Sequence, residues 1–228
     1  MRTEAAQLRL LTWFSPAFPV GAFGYSHGLE TAIREGAVSS TDDLAAWIEG
    51  LLEHGSGWSD AVLFKLAWDA ADAGELAELA ELAEALAPSS ERHKETMQLG
   101  TAFVKAVGPW LLAETQPFAQ SETEGASGAR PPYPCAAGAA CAAADIALPA
   151  ALVAWLHGFV ANLVSVAVRA IPIGQRNAVA VLAALEGTIL ATAERAVESS
   201  RHDLGGCAFL SDIAAMRHET LQPRLFIS

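Results

Sequence analysis

Six histidines and three cysteines are the residues of this sequence best suited to hold a metal ion. No two histidines are three or four positions apart, and no H-E-x-x-H motif occurs, so no helix carries a histidine pair on one face. Cys135 and Cys141 are separated by five residues, which is neither C-x-x-C spacing nor a disulfide framework. The pattern predicts no self-contained metal site, no cofactor and small buried thiols. It leaves open a metal site shared between subunits.

Nucleotide binding and nucleophilic catalysis also lack their motifs. There is no phosphate-binding G-x-x-x-x-G-K-[ST] and no G-x-S-x-G. The glycines of "GAFGYSHG", residues 21–28, do not follow a predicted strand, so a dinucleotide fingerprint is not supported. Ser26 and His27 are neighbours, but adjacency gives no catalytic dyad, and a helix N-cap explains Ser26 more simply. We therefore expect no enzyme activity.

The net charge of the chain limits the kinds of molecule that it is expected to bind. The 228 residues carry 26 acidic and 14 basic side chains, for a net charge of −12, and no run of five basic residues occurs. Nucleic acid and anionic membrane surfaces are poor partners for such a chain. A basic protein partner suits it better.

The elements that must position these residues are predicted to be helices. Alanine is abundant, β-branched runs are scarce, and leucine and tryptophan recur at helical spacing in "DLAAWIEGLLEH". We predict an all-α, single-domain bundle over residues 1–228, with about eight to ten helices in two layers around a buried apolar helix near 149–170. The second half should contain helices near 135–146, 149–170 and 174–199. Proline-rich residues 114–134 should form a mobile loop, and residues 216–228 a C-terminal tail.

Residues 146–168 offer an alternative, because these 23 residues carry no formal charge and are long enough to span a membrane. Pro149, His157, Asn162 and Ser165 interrupt the segment, and neither flank has a positive cluster. A helix buried in a bundle or dimer interface is the better interpretation, and it favours a cytoplasmic protein.

Three segments carry a resemblance to a known family. They are "FPVGAFGYSHGLE" at 18–30, "ANLVSVAVRAIPIGQ" at 161–175 and "SDIAAMRHETLQPRLFIS" at 211–228. In order, spacing and placement they resemble the urease accessory protein F family, over essentially the whole chain. The resemblance implies an all-α homodimer that is not itself an enzyme.

The resemblance also implies partners. Members are expected to bridge urease accessory protein D (H in some organisms) and the nickel-binding GTPase, accessory protein G, and through this complex to help deliver nickel to apo-urease. An alternative implied role is activation of the GTPase, for which Arg169, Arg217 and Arg224 are the visible candidates.

Residue roles follow from the same resemblance. The tail residues that match the family segment associated with protein D are Arg217, His218, Glu219, Arg224, Leu225 and Phe226. Leu225 and Phe226 should offset by burial the entropy lost when the tail orders on its partner. Candidates for a dimer or GTPase-facing surface are Pro19, Gly21, Tyr25, Ser26, His27, Gly28, Glu30, Asn162, Arg169, Pro172, Gly174 and Gln175.

Two departures from the family tail, which reads M-R-H-E-T-Q-Y-S-R-L-F-R-S, affect this transfer. Leu221-Gln222-Pro223 replace the Q-Y-S segment, and Ile227 replaces the penultimate arginine. An aromatic contact and one cation are lost, and Pro223 stiffens the backbone. Tail binding should persist with altered detail.

Overall fold

The computed structural model describes residues 2–111, 118 and 131–227. These ranges contain helices and no strand, so the predicted all-α class is confirmed. In the described ranges eleven α-helices run in chain order, and three short 3-10 turns cover Ala22–Gly24, Gly108–Trp110 and Arg201–Asp203. The helices are α1 (Arg2–Trp13), α2 (Leu29–Arg34), α3 (Thr41–His54), α4 (Ser56–Asp69), α5 (Ala73–Ala85), α6 (Ser90–Val107), α7 (Tyr133–Ala143), α8 (Leu148–Ala170), α9 (Gly174–Ala184), α10 (Glu186–Val197) and α11 (Phe209–His218).

Local capping chemistry sets three of the helix starts. Ser40 and Asp43 form a reciprocal capping box at the start of α3. Asp72 accepts two backbone N–H groups at the start of α5, and Ser89 accepts one at the start of α6. Each of these side chains satisfies donors that the helix cannot satisfy internally.

Two predicted boundaries need correction. Most of the 114–134 loop lies outside the described residues, but Tyr133 and Pro134 are already the first residues of α7. Proline is tolerated there because the first helical turn has no N–H partner to lose. The single helix predicted over 174–199 is two helices that meet at Leu185.

The apolar helix α8 is central to the core, as predicted for residues 149–170. Leu152, Leu156, Val160 and Leu163 are fully buried, and α8 contacts α2, α4, α9 and α10. On the other side of the core, α7 consists almost entirely of small residues and packs closely on α4 and α6. These contacts hold the N-terminal loop, α6 and α11 in fixed relation.

Among the described residues, two segments are long and apolar enough to cross a membrane by length and composition alone. They are Leu148–Ala170 and Gly174–Val197, with 50% and 33% of their most apolar windows buried inside the structure. The core helix of a helical bundle passes the same test, so the pattern by itself is weak evidence for a membrane span.

Candidate functional site

The C-terminal helix α11 docks directly on the 18–30 segment. Gly28 has a φ of +75°, and a Cβ atom built there would lie 2.7 Å from the backbone nitrogen of Ala215. Ser211 Oγ also donates a hydrogen bond to the carbonyl oxygen of His27, at 3.2 Å. Only glycine accommodates both this backbone conformation and this contact. The sequence therefore brings two distant segments together through one residue without a side chain.

At the other end of α11 lies a set of side chains that we call the tail cluster: the buried Glu30, Glu91 and His218, and the exposed Arg224. His218 is fully buried. Its Nδ1 lies 2.7 Å from Glu91 Oε2, and its Nε2 lies 3.0 Å from Glu30 Oε2. Arg224 donates to the other oxygen of Glu91. Two carboxylates, one from α2 and one from α6, thus bind the last residue of α11 and the tail that follows it.

Glu30 also holds the backbone of the tail. Its carboxylate accepts the N–H groups of Leu225 at 2.8 Å and Phe226 at 3.0 Å, and it pairs with Arg34 at 3.2 Å. Burial raises the pKa of Glu30, but the hydrogen bonds from His218 and from these two amides outweigh it, and the net pKa is lowered. The ionised form of Glu30 is therefore favoured.

The third segment, 161–175, completes the arrangement. The Arg169 guanidinium lies 4.4 Å above the ring of buried Phe226 and donates to the carbonyl oxygen of Phe23 at 2.8 Å. The Ile227 N–H donates to the carbonyl oxygen of Gly24 at 2.7 Å. Asn162 Nδ2 donates to the carbonyl oxygen of Tyr25 at 3.2 Å, which satisfies its amide in an apolar helix. All three segments singled out in the sequence form one continuous contact surface.

A second set of titratable side chains, the inner cluster, consists of the buried His27, Arg92 and Glu95 and the partly buried Asp60. Arg92 Nη1 lies 2.6 Å from Glu95 Oε2, and Arg92 Nη2 lies 3.4 Å from Asp60. His27 Nε2 lies 3.0 Å from Glu95 Oε1. His27 adopts a φ of +51°, which is uncommon for a residue other than glycine.

Opposing forces act on the acids of the inner cluster. Burial raises the pKa of Glu95, but Arg92 and His27 outweigh it and lower the pKa to about 2. For Asp60 burial is the larger effect, so its pKa is raised despite Arg92 and His27. Burial lowers the pKa of Arg92, but Glu95 and Asp60 more than compensate, and the net pKa is raised. Glu95 and Arg92 therefore form the firm ion pair of this cluster.

A cavity of about 100 Å³ lies beside the inner cluster. Its lining combines His27, Arg92 and Glu95 with the rings of Trp155 and Phe159. Arg92 Nε and Trp155 Nε1 are buried without a hydrogen-bond partner among the described residues. Buried N–H groups beside a cavity of this size can donate hydrogen bonds to ordered water molecules.

The three cysteines differ in burial, and the potential metal ligands are not grouped. Cys135 and Cys141 are buried, and burial raises the pKa of Cys135 to about 12 and that of Cys141 further, so both are inert. Cys207 is exposed, which corrects the expectation of a buried thiol. Within residues 2–111, 118 and 131–227, no group of three His, Cys, Asp or Glu side chains is arranged to hold a metal ion.

The predicted surface candidates divide between interior and surface. Tyr25, Ser26, His27, Gly28 and Glu30 are buried, so in the described chain they organise the fold and present no free side chain. Ser26 Oγ accepts the Glu30 N–H at 3.4 Å, close to the predicted capping role, although Gly28 is the N-cap. Gly21 and Asn162 are partly exposed. The exposed candidates are Pro19, Arg169, Pro172, Gly174 and Gln175.

The predicted tail residues divide in the same way. His218 and Phe226 are buried, whereas Arg217, Glu219, Arg224 and Leu225 are exposed. Arg217 pairs with Glu35 at 3.0 Å, and Glu219 accepts the Ser90 N–H at 3.0 Å. The sequence showed no partner for His218 or Glu219; the structure supplies partners from α2 and α6, which are remote in the chain.

Sequence reasoning missed Asp60, Glu91, Arg92 and Glu95. For Arg92 and Glu95 the available signal was the spacing in α6, where buried Arg92, Glu95 or Thr96, Leu99 and Phe103 follow one another at helical intervals. Charged side chains on the apolar side of an amphipathic helix indicate a buried polar network.

Comparison with known proteins now identifies the family. The model of the UreF family matches residues 38–186, more than half of the chain. The chain belongs to the UreF family. Similar full-length relatives include "Urease accessory protein UreF" of Mesorhizobium japonicum, 50% identical over 99% of this chain and 98% of that protein. The proteins of the same name from Rhizobium meliloti and Sinorhizobium medicae are 50% and 48% identical, over 96% and 98% of this chain and 95% and 96% of their own.

The family resemblance expected from the three segments is therefore confirmed, and this UreF-family chain is a urease accessory protein. The matched range 38–186 contains Glu91 but not Glu30, His218 or Arg224. The full-length relatives extend across those residues as well.

Proposed function

We propose that this UreF-family chain acts as a cytoplasmic nickel-insertion co-chaperone without enzyme activity of its own. As a homodimer it bridges urease accessory protein D/H and the nickel GTPase, accessory protein G, during maturation of apo-urease. Nickel is the cargo of that complex.

The observation that carries the proposal is an apolar surface on α11 and the tail. Phe209, Leu210 and Leu225 are 73%, 75% and 68% exposed, and Ile213, Met216 and Ile227 are also exposed nearby. Apolar side chains concentrated on one helix and the segment after it are typical of a protein interaction surface. Within this surface the tail cluster holds the backbone of Leu225, whose N–H donates to Glu30.

The structure changes how the tail role is best tested. Deleting residues 216–228 would also remove His218 and Phe226 and leave Glu30 and Glu91 buried without their partners. A lost complex would then be uninformative, because unfolding alone would cause it. A substitution at exposed Leu225 avoids this difficulty.

Leu225→Glu should weaken co-purification with protein D/H by about tenfold or more, since a charge replaces a buried apolar contact at the interface. Leu190→Glu is the matched control, because Leu190 is 51% exposed on α10 and should leave binding unchanged. Circular dichroism confirms that both variants fold. Wild-type complex formation by Leu225→Glu would rule out this surface as the protein D/H site.

The alternative function, activation of the GTPase, would require an arginine near the nucleotide. Arg169 and Arg224 are held by contacts within the chain, whereas the guanidinium of Arg217 contacts, among the described residues, only Glu35 in an exposed ion pair. Exposed ion pairs contribute about 0–1 kcal/mol, so Arg217 is the arginine most easily released. GTP turnover by protein G, with and without the wild-type chain and its Arg217→Ala and Arg169→Ala variants, separates the two functions. No acceleration by the wild-type chain in the full complex would reject the alternative.

A further inference from the structure

The hydrogen bonds of His218 determine its protonation state. Both ring nitrogens lie within hydrogen-bond distance of carboxylate oxygens, Nδ1 of Glu91 Oε2 at 2.7 Å and Nε2 of Glu30 Oε2 at 3.0 Å. A neutral imidazole has one N–H group and one lone pair, so it can donate to only one of them. An ionised carboxylate cannot donate to the remaining lone pair. Two carboxylate acceptors therefore require an imidazolium.

The carboxyl groups themselves are poor alternative positions for the proton. Glu30 accepts two backbone N–H groups and the Arg34 guanidinium in addition to His218. Every one of these donors favours the ionised form of Glu30. Arg224 donates to the second oxygen of Glu91, so a positive charge already lies against this carboxylate. The proton therefore belongs on His218.

The charges that face His218 come from every element packed around it. Helix α2 contributes Glu30 with its partner Arg34, helix α6 contributes Glu91, and the tail contributes Arg224 on the far oxygen of Glu91. With the ring protonated, each carboxylate faces the imidazolium on one side and an arginine on the other. With the ring neutral, a lone pair faces a carboxylate in a fully buried site, which is unfavourable.

We infer that His218 is held as an imidazolium whose second N–H fastens the C-terminal tail to the body of the fold, with Glu30 and Glu91 as its positioning residues. Loss of that proton loosens the segment from His218 to Ile227. Leu225 and Ile227 then lose their fixed placement. The part of the inference that concerns partner binding rests on the proposed function, whereas the protonation and the fastening concern the chain alone.

The Glu91→Gln variant keeps the contact between residue 91 and His218 but removes the need for a second proton on the ring. The Gln Oε1 can still accept from Arg224, while its amide N–H can donate to Nδ1 of a neutral ring whose Nε2–H donates to Glu30. We therefore expect this variant to keep the tail in place with a neutral His218. Wild type can keep it in place only with a charged ring.

The test uses the full chain without partners, from pH 6.5 to 9.5. NMR of the His218 ring nitrogens reports whether one or both carry a proton. Hydrogen exchange of the 219–227 amides, corrected for the intrinsic effect of pH, reports tail fastening. In wild type, protection should fall by about tenfold or more wherever the ring loses its proton, the factor expected for losing one hydrogen bond to a charged group. In Glu91→Gln, protection should not depend on pH.

Several outcomes decide the inference. An imidazolium in every wild-type sample with a protected tail supports it, and so does a loss of protection that follows deprotonation. A neutral His218 ring with a fully protected wild-type tail overturns it, whether or not Glu91→Gln folds. His54→Gln, at an exposed histidine, is the matched control and should behave as wild type.

Binding to protein D/H is measured afterwards. If the ring and tail behave as inferred but binding does not depend on the proton, the fastening stands and the tail's proposed partner role fails.

Discussion

At the scale of single residues, the site depends on groups that satisfy one another across long sequence separations. Glu30 alone meets His218, two tail amides and Arg34. The sequence could predict that the 18–30 and 211–228 segments matter, because their residue types are specific. It could not predict that they pair, since no local rule connects residues almost 190 positions apart. An amide in an apolar helix needs a partner, but the sequence could not show that the partner of Asn162 is the carbonyl oxygen of Tyr25.

Gly28 offers the first prediction at this scale. Gly28→Ala combines a strained left-handed backbone with a Cβ placed 2.7 Å from Ala215 N, so α11 must move away. We expect a loss of about 2–4 kcal/mol in the free energy of unfolding, measured by urea denaturation. Gly36→Ala is the control, because Gly36 has a similar φ of +79° but open space around it. It should cost only about 1 kcal/mol; equal losses in the two variants would contradict the docking role of Gly28.

Glu95 offers a prediction about acid stability. Its pKa falls from the usual 4.5 to about 2 in the folded chain, so its contribution is present above pH 4.5 and is lost as the pH falls towards 2. Glu95→Gln should therefore be less stable than wild type by about 3 kcal/mol at pH 7, and the difference should shrink below pH 4.5.

Denaturant titrations at pH 7 and pH 3 measure this difference. Asp60 responds in the opposite direction, because its pKa is raised, so only the comparison of the variant with wild type isolates Glu95. Glu81→Gln, at an exposed position on α5, should follow wild type at both pH values. If the difference in stability between Glu95→Gln and wild type stays constant with pH, the Glu95–Arg92 pair does not lower the pKa of Glu95.

At the scale of elements, some helices could be predicted from local signals and others could not. The starts of α3, α5 and α6 follow from Ser40, Asp72 and Ser89, whose capping role depends only on adjacent residues. The break between α9 and α10 at Leu185 has no capping side chain. Its one local signal is Gly187, a poor helix former two residues later, which is too weak by itself to place the break.

Close helix packing gives the element-scale prediction. A Cβ added at Gly138 of α7 would lie 2.1 Å from the carbonyl oxygen of Phe64, so Gly138→Ala must push α7 away from α4. We expect a loss of about 3 kcal/mol or more in stability. Gly187→Ala, in α10 with open space around it, should instead stabilise the fold by about 0.5–1 kcal/mol because alanine is the better helix former. Thermal unfolding should shift the two melting temperatures in opposite directions; a shift in the same direction would refute the packing argument.

At the scale of the whole molecule, composition predicted the fold class and the acidic character, and family resemblance predicted the identity. What neither supplied was the division of the tail into a buried part, His218 and Phe226, and an exposed part, Leu225 and Ile227. That division depends on how α2, α6 and α8 meet, which only the packed structure determines. The net charge of −12 remains the molecule's main long-range property.

The charge leads to a prediction about association. If protein D/H presents a basic surface, the rate of complex formation should fall by about tenfold or more between 50 and 500 mM salt, because screening removes long-range attraction. The dissociation rate should change much less, since apolar contacts at Leu225 do not depend on salt. Biolayer interferometry at several salt concentrations measures both rates. An association rate that does not change with salt would rule out electrostatic steering.

The long separation between Glu30 and its partners has a consequence for how the protein is made. Ribosomes release a chain from its N-terminus, so α2 emerges 188 residues before His218 and 195 residues before Leu225. Until those residues appear, the Glu30 carboxylate has no tail donors and is better left in water than buried. Local helices can form during translation. The 18–30, 161–175 and 211–228 segments can pack together only after the tail has been synthesised. A ribosome that stalls before residue 218 therefore leaves a nascent chain whose 18–30 segment is still open, which makes that segment a marker of incomplete synthesis.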